Sequence, residues 1–186
     1  MVKLVILHIG YVDGNRASGV NVAIPKMVHT QHRYAQTLLL NLSNEYTDEL
    51  TVSYLQYVCI RNLPSPFNKP DVVIFHELYR KPFIKLSYEC MHSNIPYVII
   101  PHGGLTLRAQ RIKAYKKVPA NFLIFRRFFN KAALIQYLSD NERDTSIIKK
   151  RSFICGNGVA VSNKAHSFTN DIGLRMLFIG RYDVYF

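Results

Sequence analysis

The residues of this chain that could do chemistry gather where apolar runs end. "VKLVILHI" leads into the loop "GYVDGNRASGVNV" (Gly10 to Val22), "DVVIF" into His76 and Glu77, and "YVIIP" into His102, Gly103 and Gly104. In the first loop Gly14 and Gly19 stand five apart, as in a phosphate loop. Yet Val20 and Asn21 occupy the places where a Walker loop has Lys and then Ser or Thr. Nor do Gly10, Gly14 and Gly19 keep the G-x-G-x-x-G spacing that closes a backbone on a pyrophosphate. What remains is a glycine-rich turn from a strand into a helix, whose free N–H groups can meet an anion or a sugar hydroxyl. The plain alternative is a tight turn and nothing more. His102 can reach a substrate hydroxyl, because the two glycines after it permit a close backbone approach, or it can end a strand and satisfy local backbone. His76 and Glu77 carry the same two readings. His8, Asp13, His29, His32, His92 and His166 form no metal-ligand pattern, so structural roles and no metal are expected. Glu142 in "SDNER" reads as a first-turn helix residue behind an N-cap at Ser139 or Asp140.

The elements that must hold these residues are short and alternate. Val2 to Ile9 is a strand-length apolar run, and Val20 to His32 follows with apolar residues at helical spacing. Thr37 to Leu42 reads as a second strand and Leu50 to Ile60 as a weaker, partly alternating segment. Pro64, Pro66 and Pro70 break the chain before "DVVIFH", a buried parallel strand by its β-branched run. Phe83 to Met91 is predicted helical, "IPYVIIPHGG" is a strand ending in glycines, and Ala109 to Lys131 is a long basic helix with an interruption at Pro119. "ALIQYLS" and "SFICGNG" give two further strands around a helix from Asp140 to Lys149. This alternation predicts an α/β fold, a Rossmann-like doubly wound parallel sheet, with ligands beyond the carboxyl ends of the strands. Residues 1–158 form that domain, 159–173 a polar linker, and 174–186 the opening strand of another unit.

A chain of 186 residues, 48% hydrophobic and 19% charged, can bury a full core. Cys59, Cys90 and Cys155 are odd in number and lack a C-x-x-C pair, so they read as reduced, buried thiols of a cytosolic protein. The first residues resemble a strand more than a signal peptide, and no run approaches the roughly 20 apolar residues of a membrane span. The net charge of +12 is unevenly placed: no acid falls between Glu89 and Asp140, where Arg108, Arg111, Lys113, Lys116, Lys117, Arg126, Arg127 and Lys131 all lie. Interleaved with Tyr115, Phe122, Leu123, Ile124, Phe125, Phe128 and Phe129, they fit a helix that lays its apolar side into an anionic bilayer. Two other readings are a phosphate-neutralising nucleic-acid surface, for which no dedicated motif speaks, and an ordinary helix with core aromatics and solvated cations.

Five motifs in order resemble a family: "SGVNVAIPKMVHTQH", "PHGGL", "ALIQYLSDNER", "GNGV" and "LFIGRYDVY". They are similar to the retaining GT-B glycosyltransferases of the group-one, or family-four, class, and the resemblance covers Met1 to Phe186. It implies two Rossmann-like domains facing across a cleft, the first for the acceptor and the second for the nucleotide-sugar. It implies His102 at the donor sugar or acceptor hydroxyl, Gly19 approaching the sugar or diphosphate, His76 and Gly103 beside the substrate, and Arg181 on the diphosphate. The family's Lys-Gly pair and spaced glutamates, which follow that arginine, are missing from this sequence. The expectation is therefore an acceptor-side domain, inactive by itself, whose last strand packs on the first domain or promotes self-association. No cofactor is implied beyond the nucleotide-sugar as donor substrate. The partners implied are that donor, a glycan or lipid-linked acceptor and an anionic membrane surface, in the cytoplasm or peripheral at the inner face of the membrane. The alternative is a basic non-catalytic α/β module that binds membranes or partners.

Overall fold

A computed structural model describes residues 3–158. Strand β1 (Val5–Gly10) is buried at every position and paired on both sides, with β2 (Gln36–Asn41) and β4 (Val72–His76). β3 (Thr51–Ser53) lies outside β2, while β5 (Tyr97–Ile100), β6 (Leu134–Tyr137) and β7 (Ser152–Ile154) extend the other side. The order is β3-β2-β1-β4-β5-β6-β7, and every pairing is parallel. The predicted α/β class and Rossmann-like doubly wound arrangement are thus observed. Continuous apolar runs such as "VVIF" suit strands that have both faces covered.

Each face has its own helices. Helix α1 (Gly19–His32) lays Ile24 and Val28 over Val12 and Leu39, beside a smaller cluster of Ile6, Ala35, Ile74 and Ile100. The opposite face carries the main core. There Leu7, Ile9, Phe75, Tyr97 and Ile99 meet Phe83, Leu86 and Cys90 of helix α3 (Lys81–His92), and Phe128 and Phe129. Phe75 meets Phe83, Tyr97 and Phe128 edge-on with ring centroids 5.1–5.4 Å apart, a favoured aromatic geometry. The Tyr97 hydroxyl escapes the cost of burial by donating to the carbonyl of Phe128 at 2.7 Å. One short helix, α2 (Tyr54–Tyr57), follows β3 where only a weak alternating segment is predicted.

The basic stretch departs from the predicted single helix. It consists of α4 (Leu107–Arg111), α5 (Ala114–Pro119), a π-helical turn (Ala120–Ile124) and α6 (Arg126–Lys131). The first break falls at the extended Ile112 and at Lys113, whose φ of 56° cannot continue a helix, and not at Pro119, which ends α5 without breaking the path. The π turn, closed by the Phe125 N–H donating to the Ala120 carbonyl at 2.9 Å, turns Phe125, Phe128 and Phe129 into the core. These three rings are therefore not available to a membrane. The helix expected from Asp140 to Lys149 is shorter, α7 (Asp140–Asp144), because Ser146 leaves it to bridge Thr106. Cys59 and Cys90 are buried as expected, whereas Cys155 is exposed.

The two kinds of phenylalanine in this stretch should separate cleanly in urea unfolding. Phe128→Ala, at 1% exposure, is expected to cost about 3–5 kcal/mol, and Phe122→Ala, at 64%, to stay within about 0.5 kcal/mol. Similar midpoint shifts for both would contradict the assignment of the core.

Candidate functional site

In an open parallel sheet ligands collect where the strand order reverses, which in this order is the carboxyl edge between β1 and β4. The register pairs His8 of β1 with Ile74 of β4, so His76 projects two residues beyond it on the same face, under α1. There His8 Nδ1 lies 2.9 Å from His76 Nε2, and His76 Nδ1 lies 3.2 Å from His102 Nε2. The rings are nearly parallel, at 18° and 26°, with centroids 5.2 and 5.5 Å apart. At the inner end Gln31 of α1 places its Oε1 3.0 Å from His8 Nε2. At the outer end His102 Nδ1 finds no partner among the described residues and is not fully sealed from solvent. His8 and His76 are fully buried. Burial pushes His8 and His102 down to about 4 and takes His76 well below the usual range, so all three are neutral near pH 7.

His102 is held in an uncommon backbone state. Its φ is 48° and that of Gly103 is 81°, and the chain reverses there immediately after β5. A Cβ on Gly104 would come within 2.9 Å of the Pro101 carbonyl oxygen, so the turn closes only around glycine. Neighbouring elements fix the turn. Glu142, buried in α7, accepts from the Gly103 N–H at 2.5 Å with one oxygen and from the Leu138 N–H at 2.7 Å with the other. Gln110 Nε2 donates to the Gly104 carbonyl at 2.6 Å and to the Tyr79 hydroxyl at 2.8 Å. The first-turn position expected for Glu142 is correct, and Ser139 Oγ does cap its N–H at 3.2 Å. What the sequence reading lacks is the carboxylate's second task, tying α7 to the histidine turn.

The glycine loop is anchored at both ends. Asn41, fully buried at the end of β2, accepts from the Val12 N–H and donates to the Val12 carbonyl, both at 2.9 Å. Asp13 accepts from the Asn15 N–H at 3.0 Å and from the Asn21 side chain. Gly14 supplies a φ of 77°. Gly19 opens α1 with no atom within 4 Å of where a Cβ would stand, and the first turn of the helix holds no acidic residue. Nearby, Glu77 pairs with Arg80 at 3.0 Å, and the Arg80 guanidinium lies 4.2 Å above the Tyr11 ring. The candidate edge thus joins an open backbone, a cation and an imidazole lone pair or N–H, groups suited to a polar, hydroxyl-rich or anionic ligand.

Of the residues singled out from sequence, His76, His102 and Gly103 come together at this edge and Gly19 lies at the mouth of the adjoining helix. His76 stands behind His102 and does not itself reach solvent. Arg181 lies outside the described residues, as do positions 159–186. His8, Gln31 and Asn41 are the members that sequence reasoning missed. No metal-binding group of three or more His, Cys, Asp or Glu occurs among the described residues. A cavity of about 520 Å³ between Arg61, Lys85, Tyr88, Glu89 and His92 sits at the far end of α3 and has no part in the site.

No protein-family model matches the chain, and a search of curated proteins finds no match.

Of the eight cations between 108 and 131, Lys117 is half-buried, with its Nζ donating to the Ala109 carbonyl at 2.5 Å and 6.0 Å from the Tyr79 ring. Arg108, Arg111, Lys113, Lys116, Arg126, Arg127 and Lys131 are exposed, and none pairs with a carboxylate among the described residues. Between them Leu107, Ile112, Tyr115, Val118, Phe122, Leu123 and Ile124 are also exposed, at 40–74%. No helix among the described residues is long and apolar enough to cross a membrane.

The buried imidazoles set a pH dependence. An unfolded histidine binds its proton near pH 6.5, whereas His8 and His102 in the fold do so only near 4. As pH falls through this window the unfolded chain takes up the protons first. Stability is therefore full above about pH 6.5 and declines towards 4, with His8 contributing on the order of 3 kcal/mol. Urea midpoints measured from pH 7 to 4.5 should fall, and His8→Gln should make the fall shallower. A flat profile would show that the imidazoles are not buried neutral.

Proposed function

We propose that this chain is the acceptor-side domain of a retaining GT-B glycosyltransferase, which in its longer form moves a sugar from a nucleotide-sugar to a glycan or lipid-linked glycan. The observation that carries the reading is His102. It follows β5, against His76 of β4 beside the switch point of an all-parallel sheet, in a left-handed turn closed by glycine, with one ring nitrogen unpartnered among the described residues. A side chain held in that backbone state, over neutral partners and at the sheet's ligand edge, suits contact with a substrate hydroxyl. The resemblance carried by the five motifs in their order supports the reaction class. Gly19 and the N-terminus of α1 would then meet the sugar or diphosphate, and Arg181 the diphosphate.

The test is on the longer protein. The reading frame beyond Phe186 is expected to continue through a Lys-Gly pair and two spaced glutamates. His102→Ala in that protein should lower transfer by about 10²-fold or more while shifting the urea midpoint little. Unchanged kinetics would return His102 to a structural role, and a frame without those motifs would remove the reading.

The cationic, apolar face of residues 107–131 supports a lipid-linked acceptor, because it offers unpaired charge and exposed aromatic surface side by side. Each cation near an anionic bilayer contributes about 1 kcal/mol, and inserted apolar groups add to that. The chain should cosediment with anionic vesicles, much less with neutral ones, and release as salt brings the Debye length below about 10 Å. Exchanging Arg108, Arg111, Lys113 and Lys116 together for Gln should remove most of this binding with the fold intact. Equal binding to neutral vesicles would leave the face as a solvated surface. Vesicle binding combined with no transfer by the longer protein would favour the non-catalytic membrane module.

A further inference from the structure

The line Gln31, His8, His76, His102 has a direction. A neutral imidazole has one nitrogen that donates and one that accepts, so in an unbroken chain the choice at one end dictates the choice at the other. Gln31 faces His8 with Oε1, which can only accept, and His8 Nε2 at 3.0 Å must therefore carry the proton. His8 Nδ1 is then bare and accepts the Nε2–H of His76. His76 Nδ1 is bare in turn and accepts the Nε2–H of His102. This leaves His102 Nδ1 as a lone pair on the open side. If the Gln31 amide presented its NH2 instead, all three protons would sit on the other nitrogens and His102 would show an N–H. No other side chain competes for these nitrogens among the described residues, and burial keeps an imidazolium from interrupting the alternation.

We propose that Gln31 and His8 are positioning residues that fix His102 as a hydrogen-bond acceptor at the ligand edge, so that it meets a hydroxyl and not a phosphate oxygen. The inference rests on His102 being a substrate contact, and it narrows which part of the substrate is contacted. A bare nitrogen repels the lone pairs of a diphosphate, whereas a sugar or acceptor hydroxyl can donate to it. Diphosphate recognition then falls to groups with N–H or positive charge. It also explains why a glutamine of α1, about a helix length away from the glycine loop, bears on the site at all.

The tautomers can be read directly by nitrogen-15 NMR of the full chain labelled at histidine, at pH 7. His8, His76 and His102 are expected to be neutral and protonated on Nε2. Gln31→Glu keeps an acceptor at His8 and should preserve that pattern. Gln31→Lys offers only donors, and its cation suits the last turn of α1, so it should move the proton of His102 to Nδ1. A His102 protonated on Nδ1 in the unmodified chain overturns the inference, even where the Lys variant does not fold. A folded Gln31→Lys chain with His102 unchanged overturns it equally. Kinetics of the longer protein separate the two ideas. Tautomers as stated with a silent His102→Ala would retain the polarity of the chain and reject the sugar-transfer reading. A large kinetic effect with the opposite tautomer would do the reverse.

Discussion

Strand β1 is hydrogen-bonded along both edges, so its backbone has nothing left to offer a polar neighbour. Placing an imidazole in the middle of such a strand is costly unless other side chains satisfy it. His8 meets this demand with Gln31 on one side and His76 on the other, and His76 passes the same demand on to His102. No buried side-chain nitrogen or oxygen is left unpartnered among the described residues. The position of α1, the register of β1 against β4 and the turn after β5 must therefore agree with one another. A slip of one residue in the β1–β4 register would send His76 to the opposite face, among Phe83, Leu86 and Phe128, and turn Phe75 out of that core.

The turn after β5 is reached from several directions at once. Glu142 ties it to α7, Gln110 to α4, and Tyr79 links Gln110 with Asn121 in the π turn. Tyr79 and Glu77 also have φ near 60–70°. Backbone strain of this kind costs on the order of 1–3 kcal/mol per residue and persists only where the surroundings over-determine it. The surface that carries the cations is thus mechanically continuous with the histidine turn. A surface bound through 107–124 and a ligand bound at His102 would be held by the same small set of hydrogen bonds.

Much of the sheet was legible as sequence. Runs such as "VILHI", "DVVIF" and "YVII" have the β-branched, apolar character of doubly covered strands, and the glycines after the first and the last of them mark the edge where ligands gather. The histidine line was not legible, because His8 reads as a lone polar residue within an apolar run. Only the β1–β4 register brings it beside His76, and only the packing of α1 brings Gln31 beside His8. Asn41 was hidden in the same way, at the end of a strand that announces itself only by its leucines. In the basic stretch the composition was informative about surface charge, but the break at Lys113 has no sequence mark. The spacing of Phe125, Phe128 and Phe129, three and then one apart, is that of an inward helical stripe, and the surrounding arginines concealed it.

The π turn at Ala120–Ile124 holds one residue more per turn than an α-helix would. Taking one residue out of it would rotate everything after it by about 100° around the helix axis. Arg126 would then take the inward place of Phe125 and Asn130 that of Phe129, while Phe125 and Phe128 would turn towards water. The number of residues between Pro119 and Phe125 is therefore held more tightly than their identity. Phe122, Leu123 and Ile124 can be exchanged for other side chains with little effect on folding, whereas a single-codon deletion among them would put an arginine and an asparagine where two core phenylalanines now stand.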